Sequence, residues 1–235
     1  MTSAPGSAPS KFGVDLIRSL GSPYFRLLHR YESLGEEHFP EGGPVIVISN
    51  HPTFWDPVLV GLGTKRAISW LAWDELLTWP GGFLIPYLGA IPVATEAPGA
   101  SSLRACYAVL KREAPLGMFF EGGRSSGPQL DPPHPGAAMI ALRTGTPVLP
   151  VSVSGAWRCW PKTRALPRLG RIVVTYHPLI RVAQLRRRDR NVEEALTHAV
   201  AGCIREALPP DGRALNPRGW RRRGKQAAPR GAWSP

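Results

Sequence analysis

Between Asn50 and Pro57 the chain reads Asn-His-Pro-Thr-Phe-Trp-Asp-Pro, which sets the imidazole of His51 five positions before the carboxylate of Asp56. Histidine exchanges a proton near neutral pH, and a carboxylate held against one ring nitrogen fixes the tautomer and leaves the other nitrogen free to accept. Asp56 followed by Pro57 reads as an N-cap and first helical residue, so His51 and Asp56 stand at the two ends of one tight turn that can fold them together. Taken singly, Asp56 is a helix cap and His51 an ordinary loop histidine. Their pairing between an apolar run and a helix is what suggests a general base.

A second cluster, Phe119, Phe120, Glu121, Gly122, Gly123, Arg124 and Ser125, follows another apolar run. Adjacent glycines let backbone approach a phosphate, and the Arg124 fork can grip its oxygens in bidentate fashion. Glu121 cannot bind phosphate directly; it either orients Arg124 or accepts from a substrate hydroxyl. Alone, such a turn is most often a surface loop.

The elements that must position these groups follow from periodicity. Pro44 to Ser49 is apolar and β-branched, the mark of a buried strand. Further strands are expected at Arg66 to Ala72, Leu116 to Phe120, Val148 to Val153 and, alternating, Arg171 to His177. Helices are expected after a Ser101 or Ser102 cap and from Gly136 to Thr144, ended by Gly145. A last helix runs from Asn191 to about Leu208, with Glu194 as capping-box partner and Val192, Ala195, Leu196, Ala199, Cys203 and Ile204 inward. Alternating strands and helices imply a single α/β domain, a mainly parallel central sheet flanked by helices, whose ligands gather beyond the strands' carboxyl ends.

At 235 residues the chain suits one domain with a full core. Residues 1–10 read as a disordered N-terminus, small and polar without the basic start and apolar run of a signal peptide, which argues against export. Residues 11–31 read as an amphipathic, membrane-surface helical segment, with Phe12, Leu16, Ile17 and Leu20 at helical spacing, cations between them, and Ser22-Pro23 dividing it into two short helices. Residues 32–208 form the main domain, and 209–235 a basic flexible tail. Leu76 to Thr95 is uncharged and long enough to span a bilayer, but three prolines and three glycines argue for a buried core segment instead. Lysine and arginine number 29 against 17 aspartate and glutamate, a net charge of +12 that favours anionic partners. Cys106, Cys159 and Cys203 lack the spacing of a disulfide framework or zinc site, which fits a reducing cytoplasm.

Asn50-His51, four residues and then Asp56, set between strand and helix, resembles the first motif of the glycerolipid acyltransferases, the lysophosphatidate acyltransferase superfamily. The preceding YESLGEEHFPEGGPVIVISNH has the polar turn, glycine and strand that lead into that motif. Glu121 to Ser125 resembles the family's Glu-Gly-Thr-Arg-Ser, with Gly123 where threonine is usual. The segment from Gly136 through Val151 is similar to its fourth motif, with Pro135 where a lysine is often found. Gly89 to Thr95 stands in the place of the second motif, with Thr95 where the family carries an arginine that helps hold the acceptor's phosphate. The motif order is intact over about Tyr31 to Leu179.

The resemblance implies direct acyl transfer from acyl-CoA or acyl carrier protein to a hydroxyl of a lysophospholipid or related lipid acceptor. His51 would be the general base oriented by Asp56, and Asn50, Thr95, Glu121, Gly122, Gly123, Arg124 and Ser125 would bind substrate. No metal or organic cofactor is implied. The expected partners are the lipid acceptor, an anionic membrane surface and an acyl carrier protein, with no nucleic acid, and the expected place is peripheral, on the cytoplasmic face of a membrane. Two other readings compete. Residues 123–127 fit G-x-S-x-G, the nucleophile elbow of a serine hydrolase, with Ser125 as nucleophile and Asp189 and His198 as partners, although the prolines that follow forbid the helix an elbow needs. The chain could also be a non-catalytic basic membrane-binding module, since basic residues crowd its C-terminus.

Overall fold

A computed structural model describes residues 9–73, 90–93, 99–182 and 190–224. Seven strands are described: β1 (Glu32–Leu34), β2 (Val45–Ser49), β3 (Ser69–Trp73), β4 (Ile91–Val93), β5 (Pro115–Phe119), β6 (Val148–Ser154) and β7 (Val173–Tyr176). The helices are α1 (Lys11–His29), α2 (Asp56–Leu62), α3 (Ala100–Lys111), α4 (Gly136–Thr144), the single turn α5 (Ala156–Cys159), α6 (Arg190–Glu206) and α7 (Pro217–Gly224). The strands form one sheet in the order β1-β7-β6-β2-β5-β3-β4. Only the β6–β7 pairing is antiparallel among the described neighbours.

Two apolar layers sandwich this sheet, and the two-residue period of the strands sorts side chains between them. Ile46 and Ile48 of β2 join α3, α4 and α6 on one face. Val45 and Val47, with Leu149, Val151 and Val153 of β6, face Phe25 of α1 and Leu59 and Val60 of α2 on the other. β2 is therefore buried along its whole length, as its unbroken apolar sequence requires. It lies between β5 and β6 and parallel to both. The carboxyl ends of the three central strands thus open on the same edge, which brings the segments after Ser49 and Phe119 together.

Several expectations need correction. α1 is one helix, with Pro23 inside it, rather than two. Proline removes one hydrogen bond there, but both halves are tied to the body: Arg18 donates to the carbonyls of Gly61 in α2 and of Lys65 and Arg66 beyond it, and Phe25 is buried. α3 starts at Ala100 with Gly99 as its cap, and Ser102 is buried within it. On α6 the buried face is Leu196, Val200, Ala201 and Ile204, while Ala195 is exposed, a shift of register from the expected stripe. β7 is buried throughout rather than alternating, because α7 and the residues before it cover the sheet there.

That covering segment lies in the expected flexible tail. Leu215 is buried against Leu34 and Val173 with Trp220 beside it, and the Leu215 N–H donates to Ser154 Oγ. Burial of apolar side chains and satisfaction of a buried hydroxyl outweigh the mutual repulsion of the basic residues. The proposed disordered N-terminus, apart from its last two residues, lies outside the described residues, as do most of Leu76 to Thr95 and the end of the tail. Among the described residues no helix is long and apolar enough to cross a membrane.

Candidate active site

His51 stands two residues beyond β2, and its Nδ1 lies 2.7 Å from Asp56 Oδ2. The same carboxylate accepts from the Thr53 N–H at 2.7 Å and, through Oδ1, from the Thr53 hydroxyl at 2.8 Å. Asp56 is fully buried, so three donors converge on a charge that has no access to water. Burial holds the Asp56 carboxyl above the ordinary carboxylate range, although the bonds from His51 and Thr53 work against that shift. With Nδ1–H donating to the carboxylate, the His51 Nε2 carries the lone pair and can take a proton.

The expectation that Asp56 acts as the N-cap is corrected by this geometry. Trp55 occupies the cap position, in helical conformation and without a side-chain bond. The carboxylate instead turns back across the His51–Thr53 turn, with Pro57 at the start of α2, where no N–H is needed. The tight turn itself is present as expected.

His51 is fixed from two further sides. Its ring stacks on Phe119 with centroids 3.7 Å apart and planes 9° from parallel, and Phe119 stacks on Trp70 at 4.6 Å. This column is possible because Gly117 lies under Trp70: a Cβ there would come within 2.5 Å of the indole. The His51 N–H donates to Glu121 Oε1 at 3.1 Å, and the His51 carbonyl accepts from the Ser125 N–H at 2.8 Å. The two sequence clusters, one after β2 and one after β5, are thereby bolted together through the backbone of the histidine.

Glu121 does not orient Arg124. Burial raises its carboxyl above the ordinary range, offset only in part by the Ser125 side chain and the His51 N–H, while the charge of Asp131 raises it and the Asp131 backbone lowers it. The Arg124 guanidinium lies 3.7 Å over the ring of Phe54, a cation–π contact beside the His51 turn. Burial lowers its pKa, and the field of Asp56 works against that shift. Gly122 adopts φ +68°, with the His134 ring 2.8 Å from where a Cβ would sit, so only glycine fits that turn. Gly123 follows in the same turn, outside any helix or strand.

Asn50 is buried, and both ends of its amide pair with the backbone of Val153, donating to the carbonyl at 3.0 Å and accepting from the N–H at 2.8 Å. That clamp ties the end of β2 to β6. Thr95 lies outside the described residues. Ser125 is buried and is followed by irregular chain up to α4, with no helix between. The nucleophile elbow is therefore absent. His198, its supposed base, is exposed on α6, and Asp189 lies outside the described residues.

Sequence reasoning gave no role of their own to Thr53, Phe54, Trp70 and Phe119. Thr53 carried a local signal, a hydroxyl three residues before a carboxylate, which commonly bonds to it in a turn. The aromatic column carried none, since Trp70 and Phe119 meet only across β3 and β5.

Comparison with known proteins bears on this site. A family model described as Acyltransferase matches residues 30–154, more than half of the chain and including both clusters. The chloroplastic 1-acyl-sn-glycerol-3-phosphate acyltransferase BAT2 of Brassica napus is 30% identical over 131 residues, 54% of this chain and 38% of that one. The Streptococcus pneumoniae 1-acyl-sn-glycerol-3-phosphate acyltransferase is 34% identical over 113 residues, 47% of this chain and 41% of that one. The match thus spans about two fifths of the length of these curated relatives. The crystal structure of the 1-acyl-sn-glycerophosphate (LPA) acyltransferase from Thermotoga maritima superposes with a TM-score of 0.71 at 25% identity, covering 83% of this chain and 78% of that one. With the family model matched across the strand–turn–helix that carries His51 and Asp56 and on through the Glu121 turn, the chain belongs to the Acyltransferase family.

Proposed function

We propose that this protein transfers a fatty acyl group from acyl-CoA or acyl carrier protein to a hydroxyl of a lysophospholipid or related lipid acceptor at a membrane surface, with His51 as general base. The observation that carries this is the 2.7 Å contact of His51 Nδ1 with the buried Asp56, which leaves Nε2 as a proton acceptor in a family of acyltransferases.

The acceptor hydroxyl gives its proton to His51 Nε2 as its oxygen forms a bond to the thioester carbonyl carbon. Asp56 supports the imidazolium that results. Collapse of the tetrahedral adduct breaks the carbon–sulfur bond, and the departing thiolate takes the proton back from His51, leaving ester and free thiol. Ser125 forms no covalent bond. The Arg124 guanidinium, which lies over Phe54, would grip a phosphate of donor or acceptor, with Gly122 and Gly123 letting backbone approach it. Asn50, Glu121 and the Ser125 N–H act by holding the turn. No metal or organic cofactor takes part.

The acceptor's natural home is a bilayer. In this reading the chain sits peripherally on its cytoplasmic face, and the exposed Phe12, Leu20 and Leu27 of α1 support contact with a membrane surface. The test is to incubate the purified chain with a long-chain acyl-CoA and a panel of lysolipids beside His51→Ala, following thiol release and lipid product together. Product that needs both acceptor and His51 is expected. A fully active His51→Ala variant overturns the mechanism, and thiol release without acceptor replaces transfer by thioester hydrolysis.

A further inference from the structure

Beyond the span matched by the family model, the chain between Ala156 and Arg171 carries five cations, Arg158, Lys162, Arg164, Arg168 and Arg171, and no aspartate or glutamate. Most of this segment is a loop, and it is tied at its neck and base. Trp160 Nε1–H donates to the Arg164 carbonyl, the Arg164 N–H to Pro161, and the Arg168 N–H to Cys159. At Gly170 a Cβ would come within 2.7 Å of Cys159 Sγ. The base sits against the active site and α1: the Trp160 ring packs on Phe54 and Trp55, and the Ile172 N–H donates to the His29 carbonyl.

A loop so constrained nevertheless holds two leucines in water. Leu166 is 76% and Leu169 74% exposed, and beside them a cavity of about 570 Å³ is lined by Trp157, Arg158, Arg164 and Arg168. Apolar tips rimmed by cations match the chemistry of an anionic bilayer, where acyl chains receive the former and lipid phosphates the latter. We propose that the 160–170 loop is a membrane-inserting element: Leu166 and Leu169 enter the acyl region of an anionic leaflet while Lys162, Arg164 and Arg168 hold headgroup phosphates. Through Trp160 it fixes the mouth of the His51 site against the lipid surface. This extends the proposed function to a second docking element, distinct from α1, and is read by binding rather than turnover.

The experiment is co-sedimentation of the full chain with phosphatidylcholine vesicles, with and without an equal part of phosphatidylglycerol. Leu166→Ser/Leu169→Ser should lower partition to the anionic vesicles by about tenfold or more. Arg164→Gln/Arg168→Gln should lower it roughly fivefold per arginine. Both should leave the melting temperature and the turnover of a water-soluble short-chain donor and acceptor unchanged. An environment-sensitive dye on Leu166→Cys should shift to the blue on anionic vesicles. Wild-type partition in the leucine pair, or an unshifted dye on bound protein, overturns insertion. Equal binding to both vesicle types overturns the headgroup role. Loss of soluble turnover in the leucine pair would assign the loop to the site itself. An inactive wild type that still binds as expected would instead count against acyl transfer and leave the docking element standing.

Discussion

Asp56→Asn isolates the charge beside His51 from the geometry that holds it. Oδ2 accepts from both His51 Nδ1 and the Thr53 N–H, whereas Oδ1 meets only the Thr53 hydroxyl. An asparagine therefore settles with its oxygen at the Oδ2 position, because the reverse would turn an NH₂ toward two donors, while the Thr53 hydroxyl can rotate to accept from the amide. The tautomer of His51 survives and only the negative charge is lost. In the proposed mechanism that charge acts on the imidazolium formed during transfer, and at about 4 Å with an effective dielectric near 20 the attraction is about 4 kcal/mol. The expected fall in kcat is about 10³-fold, with KM little changed. Stability should hold or rise, since burial disfavours the ionised carboxyl. Steady-state thiol release with lysolipid acceptor, set beside urea denaturation, reads both. A variant within tenfold of wild type would refute the charge argument, and a variant that fails to fold would show that the asparagine orientation is wrong.

Three further outcomes follow from the packing. Gly117→Ala should cost about 1–3 kcal/mol by overpacking against Trp70 and lower kcat through the Trp70–Phe119–His51 column; Trp70→Leu in the same chain should restore much of the melting temperature. Arg18→Ala should cost roughly 1–3 kcal/mol and expose α1 to limited proteolysis, because the carbonyls of Gly61 in α2 and of Lys65 and Arg66 beyond it lose their donor. His177 is buried against Ser152, and burial, with His38 nearby, lowers its pKa to about 3. The unfolded chain, near 6.5, binds its proton first, so the stability this group contributes is present above about pH 6.5 and is lost as pH falls toward 3, by about 1.4 kcal/mol per pH unit. His177→Gln should flatten that part of a denaturation series; parallel wild-type and variant curves would refute it.

The basic electrostatics acquire a location in the structure. The C-terminal cations closest to the domain ride on a segment whose Leu215 and Trp220 pack against the sheet, whereas the 160–170 loop and α1 present cations beside exposed apolar residues. Net charge alone cannot separate a packed basic helix from a docking surface. The neighbours of each cation do.

The sequence by itself determined the parts of this protein that are local. β2 and its burial follow from an unbroken β-branched run, α4 stops where Gly145 takes φ +69°, and the His51–Asp56 pair was legible because five residues of turn suffice to join them. The Glu121 cluster was legible as a second candidate element for the same reason, a glycine turn at a strand end. Its role was decided only by tertiary structure: Glu121 and Ser125 bond the backbone of His51 seventy and more residues away in sequence, and nothing in either segment specifies that partner. The same holds for Trp70 under Phe119, for the burial of β7 beneath Leu215, and for α1 running through Pro23. In each case a local preference, whether for a surface turn, an alternating strand, a solvated tail or a broken helix, yields to contacts between distant residues whose burial and hydrogen bonding outweigh it.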